Sequence, residues 1–306
     1  MTARFPEFSL RQLLAPALAI TVTACVGDGG PSKPFSALGA VNGISVTETE
    51  CRMTPDAVWV VVDGQGDCIR YFKSKVMPDA NELVYVWFHG DRISGGAATS
   101  YYKATANPER QQKDAAWKAD FLGRPFIQIS RPGVYGSSGN HSRRRTPREV
   151  MLMERALDGI KERFRIRTFM LIGQSGGGHL VASLLAYRHD VRCAVITSGV
   201  TAVKERYRTL GQSFDYTGLA DSEIYDPIDH VSEVSRDPRR WVYVVADPRD
   251  QNVPASTQKS YAAALMAQGN NVRYVEVERG TGSKNHSLDM VGLEYALKCE
   301  ANAGGT

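Results

Sequence analysis

Residues 168–178 read TFMLIGQSGGG, an apolar run that leads into a serine set between glycines. The apolar residues 168–172 predict a buried strand, and the next helix is predicted to begin near Gly177. Gly173, Ser175 and Gly177 form the pattern G-x-S-x-G at this strand-to-helix turn, which typically presents a serine hydroxyl above the edge of a sheet. Glycines suit the turn because it leaves no room for side chains two residues either side of the serine. We therefore predict that Ser175 is a nucleophile, with an ordinary glycine turn as the alternative.

On both sides of this turn, nearly continuous apolar segments alternate with amphipathic helices. The predicted strands are residues 83–88, 126–129, 168–172, 191–197, 241–246 and 272–277. Such alternation indicates a mostly parallel sheet with helices on both faces. Before it, residues 44–76 have a strand-like pattern and predict antiparallel entry strands. A helix over 147–164 is predicted from its apolar stripe and from a capping box of Thr146, Pro147 and Glu149.

The composition is that of an ordinary globular protein: 306 residues, 42% hydrophobic and 23% charged. The net charge of +4 is too small to indicate a nucleic-acid partner or a polybasic membrane surface. The predicted organisation is a signal peptide over 1–24, a tether over 25–43 and a single α/β domain over 44–306. No nucleic-acid partner is expected.

The signal peptide is predicted from Arg4 and Arg11, which precede an apolar run over 13–24. This run is too short to span a bilayer as a helix. Residues 22–25 read VTAC and resemble the lipobox of bacterial lipoproteins, which implies that Cys25 is lipidated and becomes the first mature residue. Val26 then favours the outer membrane, with the protein facing the periplasm or the exterior and attached to the membrane only through its lipid. An ordinary signal peptide and a buried thiol are the alternatives.

Cleavage before Cys25 leaves four cysteines in an oxidising compartment, where disulfides persist. They are Cys51, Cys68, Cys193 and Cys299, and three connectivities are possible. We favour Cys51–Cys68, because these two bracket a short strand, and Cys193–Cys299, because both lie on late elements of one sheet-and-helix layer. The alternative is a set of buried free thiols.

Several of these segments resemble the α/β-hydrolase superfamily of serine esterases and peptidases, over about 215 residues from Leu83 to the C-terminal helix. Residues 84–90 read VYVWFHG and are similar to the His-Gly element after the family's third strand. Residues 126–138 resemble the strand and loop that follow that element. The resemblance implies an oxyanion hole formed by the backbone amides of Gly176 and Asp91, although His89-Gly90-Asp91 lacks the third glycine of the HGGG type.

A serine nucleophile needs a base that is itself oriented by a carboxylate, and in this fold the order along the chain is serine, acid, histidine. His286 alone of the six histidines follows a plausible acid, so it is the predicted base. The predicted strand over 241–246 is followed by two aspartates, Asp247 and Asp250. Asp250 resembles the family position, because it lies shortly before Val-Pro and a helix. The predicted triad is Ser175, Asp250 and His286, with Asp247 as the alternative acid.

The other motifs point to packing rather than chemistry. His89, His179 and His230 are expected to be structural, and no sequence pattern for a metal site or a nucleotide cofactor occurs, so none is predicted. A small cap of about 40 residues is expected between residues 197 and 241. Six aromatic residues are candidates to line an acyl or aryl pocket, and the alternative is that they only pack in the protein interior. Four belong to the cap and two follow the oxyanion loop: Tyr207, Phe214, Tyr216 and Tyr225, and Tyr101 and Tyr102. The basic run 141–148 is expected to be a solvated loop, and contact with an anionic substrate or membrane phosphates is the alternative.

Taken together, the motifs predict a serine hydrolase that cleaves carboxylic esters through an acyl-enzyme. Its substrate would be a small-molecule ester or a short peptide. A peptidase or aminopeptidase of the same fold is the nearest alternative, and an acyltransferase differs only in which nucleophile reaches the acyl-enzyme. A lipid-tethered binding protein without activity is the alternative from a different class.

Overall fold

The computed structural model describes residues 1–2 and 33–304. The predicted signal peptide over 1–24, the proposed lipidation of Cys25 and the first part of the tether fall almost entirely outside the described residues, and they stay predictions. Among the described residues, no helix has both the length and the apolar character needed to cross a membrane.

Within the described part, a sheet of eight strands forms the centre of the fold. Its strands are β1 (Ala57–Val62), β2 (Gln65–Lys73), β3 (Asn81–Phe88), β6 (Phe126–Ile129), β7 (Ile166–Gln174), β8 (Val191–Thr197), β9 (Trp241–Ala246) and β10 (Asn271–Glu276). The short strands β4 (Ile93–Ser94) and β5 (Ala97–Ala98) form a separate antiparallel pair. The strands of the large sheet lie in the order β1-β2-β6-β3-β7-β8-β9-β10. All neighbours from β6 to β10 in this order pair in parallel, and β2 runs antiparallel to both β1 and β6. The predicted mostly parallel sheet with antiparallel entry strands is confirmed.

Helices cover both faces of the sheet. They are α1 (Ala37–Asn42), α2 (Glu48–Met53), α3 (Ser100–Thr105), α4 (Pro108–Leu122), α5 (Pro147–Arg163), α6 (Gly176–Leu184), α7 (Val203–Thr209), α8 (Ala255–Ala267) and α9 (Asp289–Gly304). Alternate residues of a strand point to opposite faces. In β3, for example, Val84 and Val86 belong to the same buried cluster as residues of α5, α6 and α8, whereas Tyr85 and Trp87 belong to the cluster that includes residues of α4 and α9. This two-sided burial explains why the strands are apolar throughout.

The segment before β1 differs from its predicted strand-like character. Residues 48–53 form α2, which begins with a capping box: Thr47 Oγ1 accepts from the amide of Glu50, and the Glu50 carboxylate accepts from the amide of Thr47. This local pairing satisfies amides at the helix start, so the Thr-x-x-Glu signal outweighs the neighbouring β-branched residues. Asp63 and Gly64 connect β1 to β2, and both have positive φ, at 50° and 74°.

Two further sequence predictions need correction. The structure already packs part of the predicted tether, because Ala40 of α1 is fully buried. The packed domain therefore starts before residue 44. At α5, the Thr146 side chain accepts from the amide of Glu149 as predicted. The predicted capping box is incomplete, because Glu149 does not accept from the amide of Thr146 in return. The Glu149 carboxylate binds the amide of Arg145 and the guanidinium of Arg131 instead, because these buried donors compete for it.

Two disulfides join the pairs favoured from the sequence. The Cys51–Cys68 bond, with an S–S distance of 2.03 Å, holds α2 to β2, and the Cys193–Cys299 bond, at 2.11 Å, holds α9 to β8. The second closes a chain separation of 106 residues. In the chain-entropy model a loop of this size stabilises the fold by about 4.7 kcal/mol.

Candidate active site

Ser175 lies on the turn between β7 and α6. Its backbone has φ 56° and ψ −117°, a conformation that non-glycine residues rarely adopt. A Cβ on Gly173 would overlap the carbonyl of Gly177, and a Cβ on Gly177 would overlap the carbonyl of Phe88. The two glycines therefore allow α6 to start directly against the sheet, and this close approach maintains the strained turn that carries Ser175.

Three predicted residues meet at the carboxyl ends of the parallel strands. His286 follows β10 and Asp250 follows β9. The Nε2 atom of His286 lies 2.8 Å from Ser175 Oγ, and its Nδ1 atom lies 2.8 Å from Asp250 Oδ2. The Asp250 side chain is fully buried, while that of His286 is 20% exposed. A carboxylate at Nδ1 requires a proton there, which leaves Nε2 free to accept the serine proton.

The two candidate acids make different contacts. The other carboxylate oxygen of Asp250 accepts from the amides of Asn252 and Val253, at 2.8 and 3.0 Å. Asp247 instead binds the Arg249 guanidinium and the amide of Gly280. Its hydrogen bond with Arg249 lowers the pKa of Asp247 to about 2, against the opposing effect of burial. The structure thus brings Asp250, and not Asp247, to the histidine.

Sequence reasoning missed Gln174, the residue directly before the serine. Its Nε2 donates to the backbone carbonyl of His286 at 2.8 Å, while its Oε1 accepts from Thr197 Oγ1 and from the amide of Leu288. The side chain therefore ties the histidine loop to the strand that carries Ser175. Any residue can occupy this position in the G-x-S-x-G pattern, so the pattern does not predict a role for Gln174.

The two predicted oxyanion donors, the amides of Gly176 and Asp91, belong to backbone segments that lie next to Ser175. Gly176 is the first residue of α6, where amides lack partners within the helix. The backbone leading to Asp91 passes close to the nucleophile, since a Cβ on Gly90 would lie 3.7 Å from Ser175 Oγ. Among the described residues, neither amide donates a hydrogen bond.

The side chain of Asp91 lies at the centre of a buried arginine cluster, which we define as Arg131, Arg144, Arg145 and Arg206 with the carboxylates Asp91, Glu149 and Asp215. One Asp91 oxygen pairs with Arg131 at 2.7 Å. The other pairs with Arg144 at 3.1 Å and Arg145 at 2.9 Å, and accepts from the Tyr216 hydroxyl. A Cβ on Gly176 would overlap Asp91 Oδ1, so the cluster directly adjoins the start of α6.

Burial by itself would raise the pKa of Asp91, but the positive charges of the surrounding arginines outweigh it, and the pKa lies well below the ordinary value of 3.8. A carboxylate with a lowered folded-state pKa stabilises the fold above its unfolded-state pKa, and this stabilisation is lost as the pH falls through the folded-state value. The carboxylate of Asp91 is therefore charged throughout the neutral and mildly acidic range.

We expect Asp91→Asn to lower the free energy of unfolding by about 3–5 kcal/mol at pH 7, because it leaves buried guanidinium groups without their shared partner. Urea denaturation of wild type and variant measures the difference. The difference in the free energy of unfolding between wild type and Asp91→Asn should be constant from neutral pH down to about the ordinary aspartate pKa of 3.8. It should become smaller only in stronger acid. Asp120→Asn, at an exposed position of α4, is the control and should change stability by less than about 0.5 kcal/mol. A gap that closes already near neutral pH would contradict the expectation.

The other histidines have structural contacts. In His89, Nδ1 contacts the carbonyl of Gly90 at 2.7 Å and Nε2 accepts from the amide of Arg131 at 3.3 Å. Burial and nearby arginine charges lower the pKa of His89 well below its ordinary value, so the ring is neutral and fixes the loop that leads to Asp91. His179 contacts the carbonyl of Tyr225, and burial lowers its pKa to about 4. His230 stacks on the Tyr225 ring at 4.0 Å.

The basic run 141–148 is partly buried and partly exposed. Arg144 and Arg145 are buried in the arginine cluster, so the prediction of a solvated loop is wrong for them. It fails because their carboxylate partners lie far away along the chain. Arg143 is exposed and pairs with Glu223.

Of the six candidate aromatic residues, two line the cavity beside Ser175, namely Tyr101 and Tyr216. Three others are buried and Phe214 is exposed; the buried ones are Tyr102, Tyr207 and Tyr225.

A cavity of about 540 Å³ adjoins the triad, with Ser175 and His286 in its wall. The cap between β8 and β9, formed by α7 and two short 3₁₀ segments, contributes Arg206, Leu210 and Tyr216 to the lining. Among residues 1–2 and 33–304, no group of three or more His, Cys, Asp or Glu side chains is arranged to hold a metal ion.

Solved structures of several hydrolases are similar to this chain. An esterase from Butyrivibrio proteoclasticus, Est1E, is 17% identical with a TM-score of 0.55, over 82% of this chain and 100% of its own. An esterase from Pyrococcus furiosus is 10% identical with a TM-score of 0.57, over 84% and 96%. An acylaminoacyl peptidase from Pyrococcus horikoshii is 14% identical with a TM-score of 0.52, over 82% of this chain and 40% of its own. No protein-family model matches the sequence, and no curated protein matches it significantly. The structural likeness confirms the predicted α/β-hydrolase fold.

Proposed function

From this α/β-hydrolase fold and the geometry at Ser175, we propose that the protein is a serine hydrolase that cleaves carboxylic esters. The observation that carries the proposal is the continuous hydrogen-bonded series of Ser175 Oγ, the His286 ring and the Asp250 carboxylate, with both distances at 2.8 Å. In such a series the base and the nucleophile are already within reach of each other.

In the proposed reaction, Ser175 Oγ attacks the ester carbonyl carbon while His286 Nε2 takes the hydroxyl proton. Asp250 accepts from Nδ1–H and stabilises the resulting imidazolium. The amides of Gly176 and Asp91 donate to the oxyanion of the tetrahedral intermediate, helped by the positive end of the α6 dipole. Collapse expels the alcohol, which receives the proton from His286. Water then attacks the acyl-enzyme by the same steps in reverse, releasing the carboxylic acid and restoring Ser175.

The buried cluster around Asp91 supports the oxyanion part of this proposal. A carboxylate close to a developing oxyanion would oppose it by like-charge repulsion. Here the Asp91 carboxylate is paired with three guanidinium groups, so its charge is compensated where the oxyanion would form. The same ion pairs hold the backbone that presents the Asp91 amide.

A peptidase is the second candidate, because the acylaminoacyl peptidase of Pyrococcus horikoshii has a similar fold and the same triad chemistry cleaves amides. Two esterases support the ester reading, since the similarity covers 100% and 96% of their lengths. Hydrolysis through a serine acyl-enzyme is common to both candidates.

A panel of 4-nitrophenyl esters of increasing acyl length, run beside peptide 4-nitroanilides, tests the proposal. We expect hydrolysis of short-chain esters by wild type and none above background by Ser175→Ala. A fluorophosphonate probe should label wild type and not the variant. Turnover confined to the anilides would replace the esterase proposal by the peptidase. Absence of both turnover and labelling would favour a binding protein without activity.

A further inference from the structure

The cavity beside Ser175 contains an excess of positive side chains. Its charged lining residues are Arg92, Arg206 and Lys284 against Asp91 and Asp289. The Asp91 carboxylate is already shared by three arginines. Asp289 is exposed and accepts from the Ser287 hydroxyl at 3.0 Å. The anions of the lining therefore do not balance its cations.

Arg206 is the most deeply buried of these cations, with 2% exposure. Its two short hydrogen bonds go to neutral acceptors, the backbone and side-chain oxygens of Asn252, at 2.8 and 2.7 Å. Its one carboxylate contact within the described residues is Asp215 Oδ1, 3.4 Å from Nη1. That same oxygen lies 2.5 Å from Arg145. Arg206 thus has a buried charge and only a distant share in one carboxylate.

The arginine cluster as a whole also contains more positive than negative charge. Four guanidinium groups meet three carboxylates, so one positive charge is left over. Burial, together with repulsion from Arg145, lowers the pKa of Arg206. A buried charge that has no counter-ion of its own is costly, and this cost at a cavity wall is offset when a ligand brings a negative charge.

The other two cations are free to add to the attraction. Neither Arg92 nor Lys284 has a carboxylate within 4.0 Å among residues 33–304. The Arg92 guanidinium lies over the Tyr101 ring, 4.7 Å from its centroid, and donates from Nε to Tyr135. Lys284 is exposed on the loop that also carries His286. Both therefore present positive charge to a substrate bound at Ser175.

We propose that the substrate carries an anionic group, a carboxylate or a phosphate, which Arg206 binds in the cavity while Ser175 attacks the ester. This inference rests on the proposed hydrolase function and specifies its substrate class. The expected contribution of the charge-assisted contact is about ten- to a hundredfold in kcat/KM.

Three series of 4-nitrophenyl esters test the proposal, with two, three or four methylene groups between the ester carbonyl and a terminal group. The terminal group is a carboxylate, a phosphonate or, as the neutral counterpart without a second ester, a primary carboxamide. Rates are corrected by those measured with Ser175→Ala, which removes spontaneous hydrolysis. We expect one anionic series to exceed the neutral series in kcat/KM by at least about tenfold at its best length. The preferred terminal group then distinguishes carboxylate from phosphate recognition.

Arg206→Gln should lower the ratio of anionic to neutral kcat/KM by about tenfold or more. The matched control is Arg208→Gln on the same helix, because Arg208 is 64% exposed and does not line the cavity; its ratio should equal that of wild type. If Arg206→Gln does not fold, Lys284→Gln, at an exposed position, should still lower the ratio about threefold. Added salt should raise KM for the anionic esters and not for the neutral ones.

Neutral esters that are hydrolysed as well as both anionic series at every length would overturn the inference and leave the hydrolase proposal in place. An unchanged ratio in a folded Arg206→Gln would overturn it too. If that variant does not fold, an unchanged ratio in Lys284→Gln would do so in its place. Failure of every ester, charged or neutral, to react faster than with Ser175→Ala would instead remove the proposed function, and the inference with it.

Discussion

Replacing Ser175 by alanine is expected to lower kcat for the best 4-nitrophenyl ester by about 10⁵- to 10⁶-fold. The reason is that the proposed acyl-enzyme forms on Ser175 Oγ, the hydroxyl that lies 2.8 Å from His286 Nε2, and alanine has no hydroxyl to accept the acyl group. Steady-state kinetics at saturating substrate, with active-site titration of the wild type, measure the change.

Ser183→Ala is the matched control for this experiment. Ser183 is buried in the same helix, α6, and its hydroxyl donates to the backbone carbonyl of His179 at 2.8 Å. Its kcat should be within about threefold of wild type. A Ser175→Ala enzyme with more than about one per cent of wild-type activity would show that the hydroxyl is not the nucleophile.

The second large effect is expected at the acid. Asp250→Asn should lower kcat by about 10⁴-fold, because an amide no longer fixes the tautomer that leaves His286 Nε2 unprotonated. Asp247→Asn provides a close comparison, since both aspartates follow β9 and both side chains are fully buried. Asp247 binds Arg249 and Gly280 rather than His286. Its replacement should therefore change kcat by less than about tenfold.

The two aspartate variants also separate a chemical effect from loss of folding. Asp250→Asn keeps an oxygen for the amides of Asn252 and Val253, so its far-ultraviolet circular dichroism should match the wild type. A larger loss of kcat in Asp247→Asn than in Asp250→Asn would reassign the orienting acid.

The sequence was sufficient to predict the elements that depend on local pattern. Strand bounds such as Val191–Thr197 and Trp241–Ala246 agree with the predicted ranges, because strands buried on both faces are apolar from end to end. The glycine spacing around Ser175 is likewise a local steric requirement. Asp250 and His286 were predictable because the resemblance fixes their order relative to the serine.

The arginine cluster could not be predicted in this way, because its contacts join distant parts of the chain. Arg145 and Asp215 are 70 residues apart, and Arg144 and Arg145 belong to a basic run that looks solvent-exposed by its composition. Tertiary folding buries them against carboxylates that local sequence does not identify. The α2 helix is a different case: its Thr47 and Glu50 box is visible in the sequence, but the β-branched residues nearby suggested a strand.

The contacts of Asp91 also restrict what the cap can do. Asp215 and Tyr216 belong to the cap, and they bind Arg145 and Asp91 on the other side of the cavity through buried ion pairs and hydrogen bonds. A hinged lid would have to break several of these at once, at a cost of several kcal/mol. We therefore expect no interfacial activation: ester turnover should follow dissolved substrate smoothly and show no jump when the substrate forms micelles or droplets.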